Sequence, residues 1–164
     1  PLGSVFSFVS GLYFRGKLTY ARSFARSLGR VPGILVITPT RGLARPEERI
    51  TRDDLARLGS VPVDLSDPRY REPLEASVRV LAARLPRSAE VVLLGSIATG
   101  KYLDVLLQHL GERLLFPADF IGRGDMSRGA LLLRAVREQR ELAYVTASRA
   151  ARTGKRVSGL VRAS

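Results

Sequence analysis

The sequence predicts an α/β fold: a single layered domain with a mostly parallel sheet flanked by helices. Three observations carry this expectation. Apolar runs of strand length, "GILVITP" (33–39), "AEVVLLG" (89–95) and "ERLLFP" (112–117), alternate with segments of helical period. Each run has an unbroken apolar centre, as strands covered on both faces do. The chain has 164 residues and 45% apolar content, which suits one domain with a sizeable core.

The elements follow in order. "PLGS" (1–4) reads as the remnant of a protease-cleavage tag, outside the domain expected over 5–147. "VFSFV" (5–9) is β-prone. "RGKLTYARSFARSLG" (15–29) predicts a helix stopped by Gly29, with Leu18, Ala21, Ala25 and Leu28 on one face and Arg15, Arg22 and Arg26 on another. The strand 33–39 leads into the loop 40–49. Thr51 then caps a short helix with Asp53 and Asp54 in its first turn, where the helix dipole favours them. "VPVDL" (61–65) is a weak strand or an extended link, and 67–86 holds a helix starting near Pro73. After the strand 89–95, the segment 101–111 predicts a helix stopped by Gly111. The strand 112–117 is followed by a glycine-rich loop, 118–129. Ser127 caps the next helix, 128–140, and "LAYVTA" (142–147) is a last strand. Residues 148–164 read as a basic C-terminal tail.

Charge narrows the function. The net charge is +12, and residues 47–141 carry as many acids as bases. Residues 1–46 hold seven basic residues and no acid, and residues 142–164 hold five and no acid. The excess therefore sits at the two ends. A field of that sign attracts polyanions, nucleic acid first among them. Arginine outnumbers lysine 24 to three, as a coding bias would produce, but a bias does not empty two ends of carboxylates. No apolar run approaches the roughly 20 residues that span a bilayer, so no membrane partner is expected. The chain has no cysteine, which removes disulfides and thiolate chemistry and agrees with a cytoplasmic location.

In a parallel sheet, ligands bind beyond the carboxyl ends of strands. Three loops meet that description: 38–46, 94–102 and 117–128. The second holds Gly95, four residues, then Gly100 and Lys101, which is most of a phosphate-loop pattern. Tyr102 stands where Ser or Thr would hold magnesium, so a strand–helix turn is the better reading and nucleoside triphosphate turnover is not expected. The third loop, "GRGDMSRG", sets Arg123, Ser127 and Arg128 at a helix entrance suited to an anion, and Met126 reads as core. The first offers Arg41, aimed at the crevice or lying on the surface. Tyr13, Phe14, Tyr20 and Phe24 lie among Arg15, Lys17, Arg22 and Arg26. They serve as stacking platforms or as core. Asp119 and Asp125 are the carboxylates placed for acid–base work. His109 is the chain's single histidine, mid-helix, and reads as structural. No metal site and no cofactor are expected.

Several motifs together resemble the YaaA family of peroxide-stress-associated proteins. "LLGSIATGKYLDVL" resembles that family's NLAS-x-x-Y strand–loop–helix, with Ser96 and Tyr102 in the comparable places. "RGDMSR" (123–128) resembles its Arg-Gly-x-Met-x-Arg at a helix start. "ILVITPTRGLARPEERI" resembles the strand and GL-x-x-P loop of shorter relatives, at Gly42, Leu43 and Pro46, and "LYFRGKLTYARSFA" the helix before it. The likeness covers residues 12–140 as ordered short patches. The family's Ser-Pro-x-Lys strand is missing. The resemblance implies a mixed α/β fold related to uracil-DNA-glycosylase-like architecture, and association with DNA. The functional expectation is a nucleic-acid-binding protein, DNA in preference to RNA. Its basic ends grip phosphates, and a strand-end pocket of Arg41, Ser96, Lys101, Tyr102, Arg123 and Arg128 holds a nucleotide unit. The alternatives are an enzyme acting on a nucleobase or nucleotide through Asp119 or Asp125, and a non-catalytic protein-interaction module.

Overall fold

The first turn of chain is helical where an extended segment was expected. The computed structural model describes residues 1–9 and 11–153. Helix α1 (Leu2–Val9) takes up "VFSFV" together with most of the tag-like opening. Leu2 is buried with Val36, Ala44 and Leu58, and Phe6, one helical turn on, packs edge-to-face on Phe14 at 5.6 Å. The spacing of Leu2 and Phe6 suits a helix face, and burial of that face overrides the β-preference of Val and Phe.

Helix α2 (Gly11–Phe24) begins earlier and ends earlier than its apolar spacing predicts. It crosses a later helix, α6 (Asp125–Arg137), at two glycines: a Cβ on Gly16 would lie 3.2 Å from the Gly129 carbonyl. Bare backbone on both sides lets the two helices come that close. Strand β1 (Val36–Thr38) keeps only the centre of its apolar run. It turns back antiparallel into β2 (Gly42–Ala44), and the hairpin rests on helix α4 (Pro68–Arg84). Between them, α3 (Arg52–Ser60) opens on the expected cap: Thr51 Oγ1 accepts from Asp54 N at 3.1 Å, and Asp54 Oδ2 accepts from Thr51 N at 2.8 Å. Helix α4 starts at Pro68 with Asp67 as its cap, five residues before Pro73, which it carries inside.

The second sheet has the order β3 (Val91–Val92), β4 (Leu114–Pro117), β5 (Tyr144–Thr146), with helix α5 (Leu103–Leu110) joining the first two. β3 and β4 run parallel, while β4 and β5 run antiparallel. The mixed helix and strand content is as the sequence predicts. The single, mostly parallel sheet is not what forms: among the described residues one ladder is parallel and two are antiparallel, in two small sheets. The run 33–39 forms a hairpin with its own neighbour instead of joining β3 and β4. Val36 packs with Leu2 of α1 and Leu58 of α3, and β2 rests on α4, in place of helices on both faces of a common sheet.

The main core gathers Tyr70, Leu74 and Val78 of α4, Leu103, Leu106 and Leu110 of α5, Phe116 of β4, and Leu132 of α6. Residues 147–153 are helical, with Ala147 and Ala150 buried in that core, so the expected tail begins as packed structure. Residues 154–164 of that tail lie outside the described residues. Among the described residues no helix is long and apolar enough to cross a membrane.

Candidate nucleic-acid interface

The loop after β3 is built around Tyr102. Its hydroxyl accepts a hydrogen bond from Ser96 N, and Ser96 Oγ accepts one from Ala98 N at 3.1 Å. Gly95 makes room: a Cβ there would fall 2.2 Å from the Tyr102 hydroxyl oxygen. Gly100 takes the left-handed conformation (φ +84°), and its carbonyl accepts from Leu65 N at 2.8 Å. The amides of Ser96 and Ala98 are therefore used inside the loop. A phosphate cradle needs such amides turned outward. The Gly-x4-Gly-Lys spacing here serves a tyrosine-plugged turn.

Around that plug three cations from three elements converge. Lys17 of α2 lies half-buried over the Tyr13 ring, 4.3 Å from Nζ to the centroid, and 5.4 Å from the Phe14 centroid. Burial pulls its pKa down, Arg128 and Lys101 add to that pull, and Asp125 opposes it. Arg128, Lys101 and Asp125 thus all lie within electrostatic reach of Lys17. Tyr13 donates to the Leu94 carbonyl at 3.1 Å, tying α2 to the end of β3. Burial raises its pKa against the pull of Arg128. Tyr102 is pushed up to about 12, chiefly by burial, and it too lies in the fields of Tyr13, Arg128 and Asp125.

Arg128 is the most constrained of the three. Its Nε and Nη2 donate to the Phe120 carbonyl at 3.2 and 3.0 Å, and its guanidinium stands over the Phe120 and Phe116 rings. That hold fixes the fork and leaves its Nη1 edge outside the Phe120 bond. Gly124 rather than Ser127 is the cap of α6, and no side chain closes that helix end. Lys101 is exposed at the mouth.

The remaining expected site residues lie elsewhere. Arg123 is exposed, donates to Ser127 Oγ at 3.1 Å, and is not among the charges acting on Lys17, Tyr13 or Tyr102. Arg41 is bound to Asp54 and lies 3.8 Å from Glu48, on the hairpin and outside the cleft. Arg15, Arg22 and Arg26 are exposed. Arg15 precedes Lys17 by two residues, about 200° round the helix, so it faces away from the cleft. Asp119 is exposed in the turn Ala118–Phe120 and is absent from the charges acting on Lys17, Tyr13 or Tyr102. Asp125 is the carboxylate of the cleft. Met126, expected in the core, is 75% exposed, because α6 begins at Asp125 and turns it outward. His109 Nε2 is buried, 3.7 Å from Glu75 Oε1 and without a hydrogen-bond partner.

Lys17, expected among the basic residues before the first strand, and Tyr13, expected as a stacking platform or as core, are the members of this cleft that lie outside the three strand-end loops. The signal was present in "LYFRGK": Tyr13 and Lys17 are spaced by four, one helical turn, on a face shared with neither Arg15 nor Arg22. No family model, curated protein or solved structure matches the chain.

Proposed function

We propose that this chain is a YaaA-like nucleic-acid-binding α/β protein, whose basic surface holds the phosphate backbone and whose cleft at the end of β3 takes one phosphate or nucleotide unit. The observation that carries the reading is the gathering of Arg128, Lys101 and one carboxylate, Asp125, around Lys17, beside the close contact of α2 and α6 at Gly16 and Gly129. Like charges brought together in a half-buried place repel one another, and an anion between them relieves the cost. The open end of α6 adds backbone N–H groups of the right polarity. DNA is the favoured polyanion. The test is titration of a labelled oligonucleotide at several salt concentrations. Affinity is expected to fall at least roughly ten-fold between about 50 and 200 mM salt, since counterions are released on binding. Lys101→Ala removes an exposed cation and is expected to weaken binding by about 1–3 kcal/mol without loss of fold. Salt-independent binding, or none, refutes the proposal.

One observation favours a second reading, an enzyme acting on a nucleobase or nucleotide. Asp125 lies among the cations and tyrosines, where a general acid–base would stand. Release of free base from a labelled oligonucleotide, lost in Asp125→Asn, would establish it.

A further inference from the structure

The segment after α2 carries a feature that the cationic cleft does not use. Leu28 N donates to the Val31 carbonyl at 3.1 Å, and Val31 N donates to the Leu28 carbonyl at 2.9 Å. These bonds close a two-residue turn, Gly29–Arg30. Gly29 has φ +58°, while Arg30 is not among the residues of positive φ, which is the type II′ hairpin pattern. Gly33 braces the turn from behind: a Cβ there would come within 2.8 Å of the Arg26 backbone. Arg30 is thus presented, exposed, on a tip held by backbone contacts.

Two open grooves meet at this tip. One, of about 640 Å³, is lined by Ser27, Ile34, Arg45 and Glu47; the other, of about 630 Å³, by Leu28, Arg84 and Pro86. Gly29, Arg30 and Val31 line both. Arg30 thus stands as a cationic wedge where the two troughs meet, and each trough has an arginine of its own. Against those three arginines stands one carboxylate, Glu47. B-form DNA offers the complement: a slot about 6 Å wide between two phosphate ridges. Arginine entering a narrow A/T-rich minor groove meets strongly negative potential. A single strand has one ridge and fills one trough. An RNA duplex has a wide, shallow minor groove that leaves the wedge unheld.

We infer that the Gly29–Arg30 turn is a minor-groove wedge, with Arg45 and Arg84 taking the phosphates of the two flanking strands, so that the partner is duplex DNA. This rests on the nucleic-acid reading above. Binding of a labelled A/T-rich duplex, its single strand and an RNA duplex of equal length tests it, with wild type, Arg30→Ala, Arg30→Gln and Lys101→Ala. Wild type is expected to prefer the DNA duplex by roughly ten-fold or more. Either Arg30 variant is expected to lose roughly ten-fold on the duplex and less than about two-fold on the single strand, as for a side chain reading a groove. Circular dichroism checks that each variant is folded, and Arg30→Gln keeps the length of the side chain should the alanine variant unfold. If both Arg30 variants bind the duplex as wild type does while Lys101→Ala weakens it, the wedge is refuted and the cleft stands. If wild type binds no oligonucleotide, both fail together.

Discussion

Tyr102 decides what the glycine–lysine loop does. Its phenol fills the space above Gly95 and takes the Ser96 amide, both of which a phosphate cradle would need free. Purified protein is therefore expected to hydrolyse ATP and GTP no faster than its Lys101→Ala variant, measured by phosphate release. The same geometry predicts a stability change. Gly95→Ala drives a methyl into the Tyr102 hydroxyl and is expected to cost about 1–3 kcal/mol in urea denaturation, the scale of over-packing. Tyr102→Phe in that background should recover part of the loss, because the two residues share one contact. Gly59→Ala in α3, where a Cβ meets nothing within 4 Å, is expected to stabilise by about 0.5–1 kcal/mol. At this scale residue types were legible, since Gly95, Lys101, Tyr102 and Arg128 all stand in or beside the cleft. Their partners were not. The Tyr102–Gly95 contact depends on the path of the loop, and Lys17 reaches the cleft through a helix crossing made by Gly16 and Gly129.

The elements were legible where a local signal sets them and shifted where packing does. The Thr51 cap is written in four consecutive residues, and α3 forms as expected. It also carries a pH prediction. The Thr51 backbone bond, then Arg41, holds Asp54 well below its ordinary value of 3.8, at about 2. A depressed carboxylate stabilises above its unfolded pKa and loses that contribution as pH falls through the folded value. The α3 end is thus expected to loosen between about pH 4 and 2, and Asp54→Asn, which removes the titrating carboxylate, to flatten that acid limb; Thr51→Ala keeps the backbone N–H and is expected instead to cost about 1 kcal/mol at neutral pH through the lost cap. Thermal melts across that range check both. Packing explains the shifts. Pro73 removes the N–H that the Arg69 carbonyl would accept, yet α4 runs through it, because Asp67 and Pro68 start the helix earlier and Tyr70, Leu74 and Val78 bury its face. The Pro73 carbonyl lies against Gly42, where a Cβ would fall 2.3 Å away and φ is +63°. Gly42→Ala is expected to cost about 3 kcal/mol or more, as strain and clash act together.

Across the whole molecule the charge pattern was readable, and its division of labour was not. The sequence places Arg15, Lys17, Arg22 and Arg26 in one basic stretch. Folding separates them: Lys17 turns into the cleft, while the three arginines stay exposed along α2 and the segment that leads to the Gly29–Arg30 tip. Arg41 leaves the basic set altogether, because its charge is spent on Asp54 and Glu48. The sheet departs from the sequence pattern for a related reason. Strand direction and partner depend on contacts far apart in the chain, and an apolar run buries equally well in a hairpin packed with α1 and α3. The arginines that remain outside define a last expectation. Replacing Arg15, Arg22 and Arg26 together with Gln removes three exposed charges without touching the core. If they track a DNA backbone, each releases about 0.9 counterion, so the slope of log affinity against log salt should become shallower by up to about 3. Affinity near 50 mM salt should drop while the melting temperature holds, since exposed side chains outside the core contribute little to stability. The preference for duplex over single strand should persist, because Arg30, Arg45 and Arg84 are untouched. A slope equal to that of wild type would place the backbone on a different face of the molecule and confine nucleic acid to the cleft and the tip.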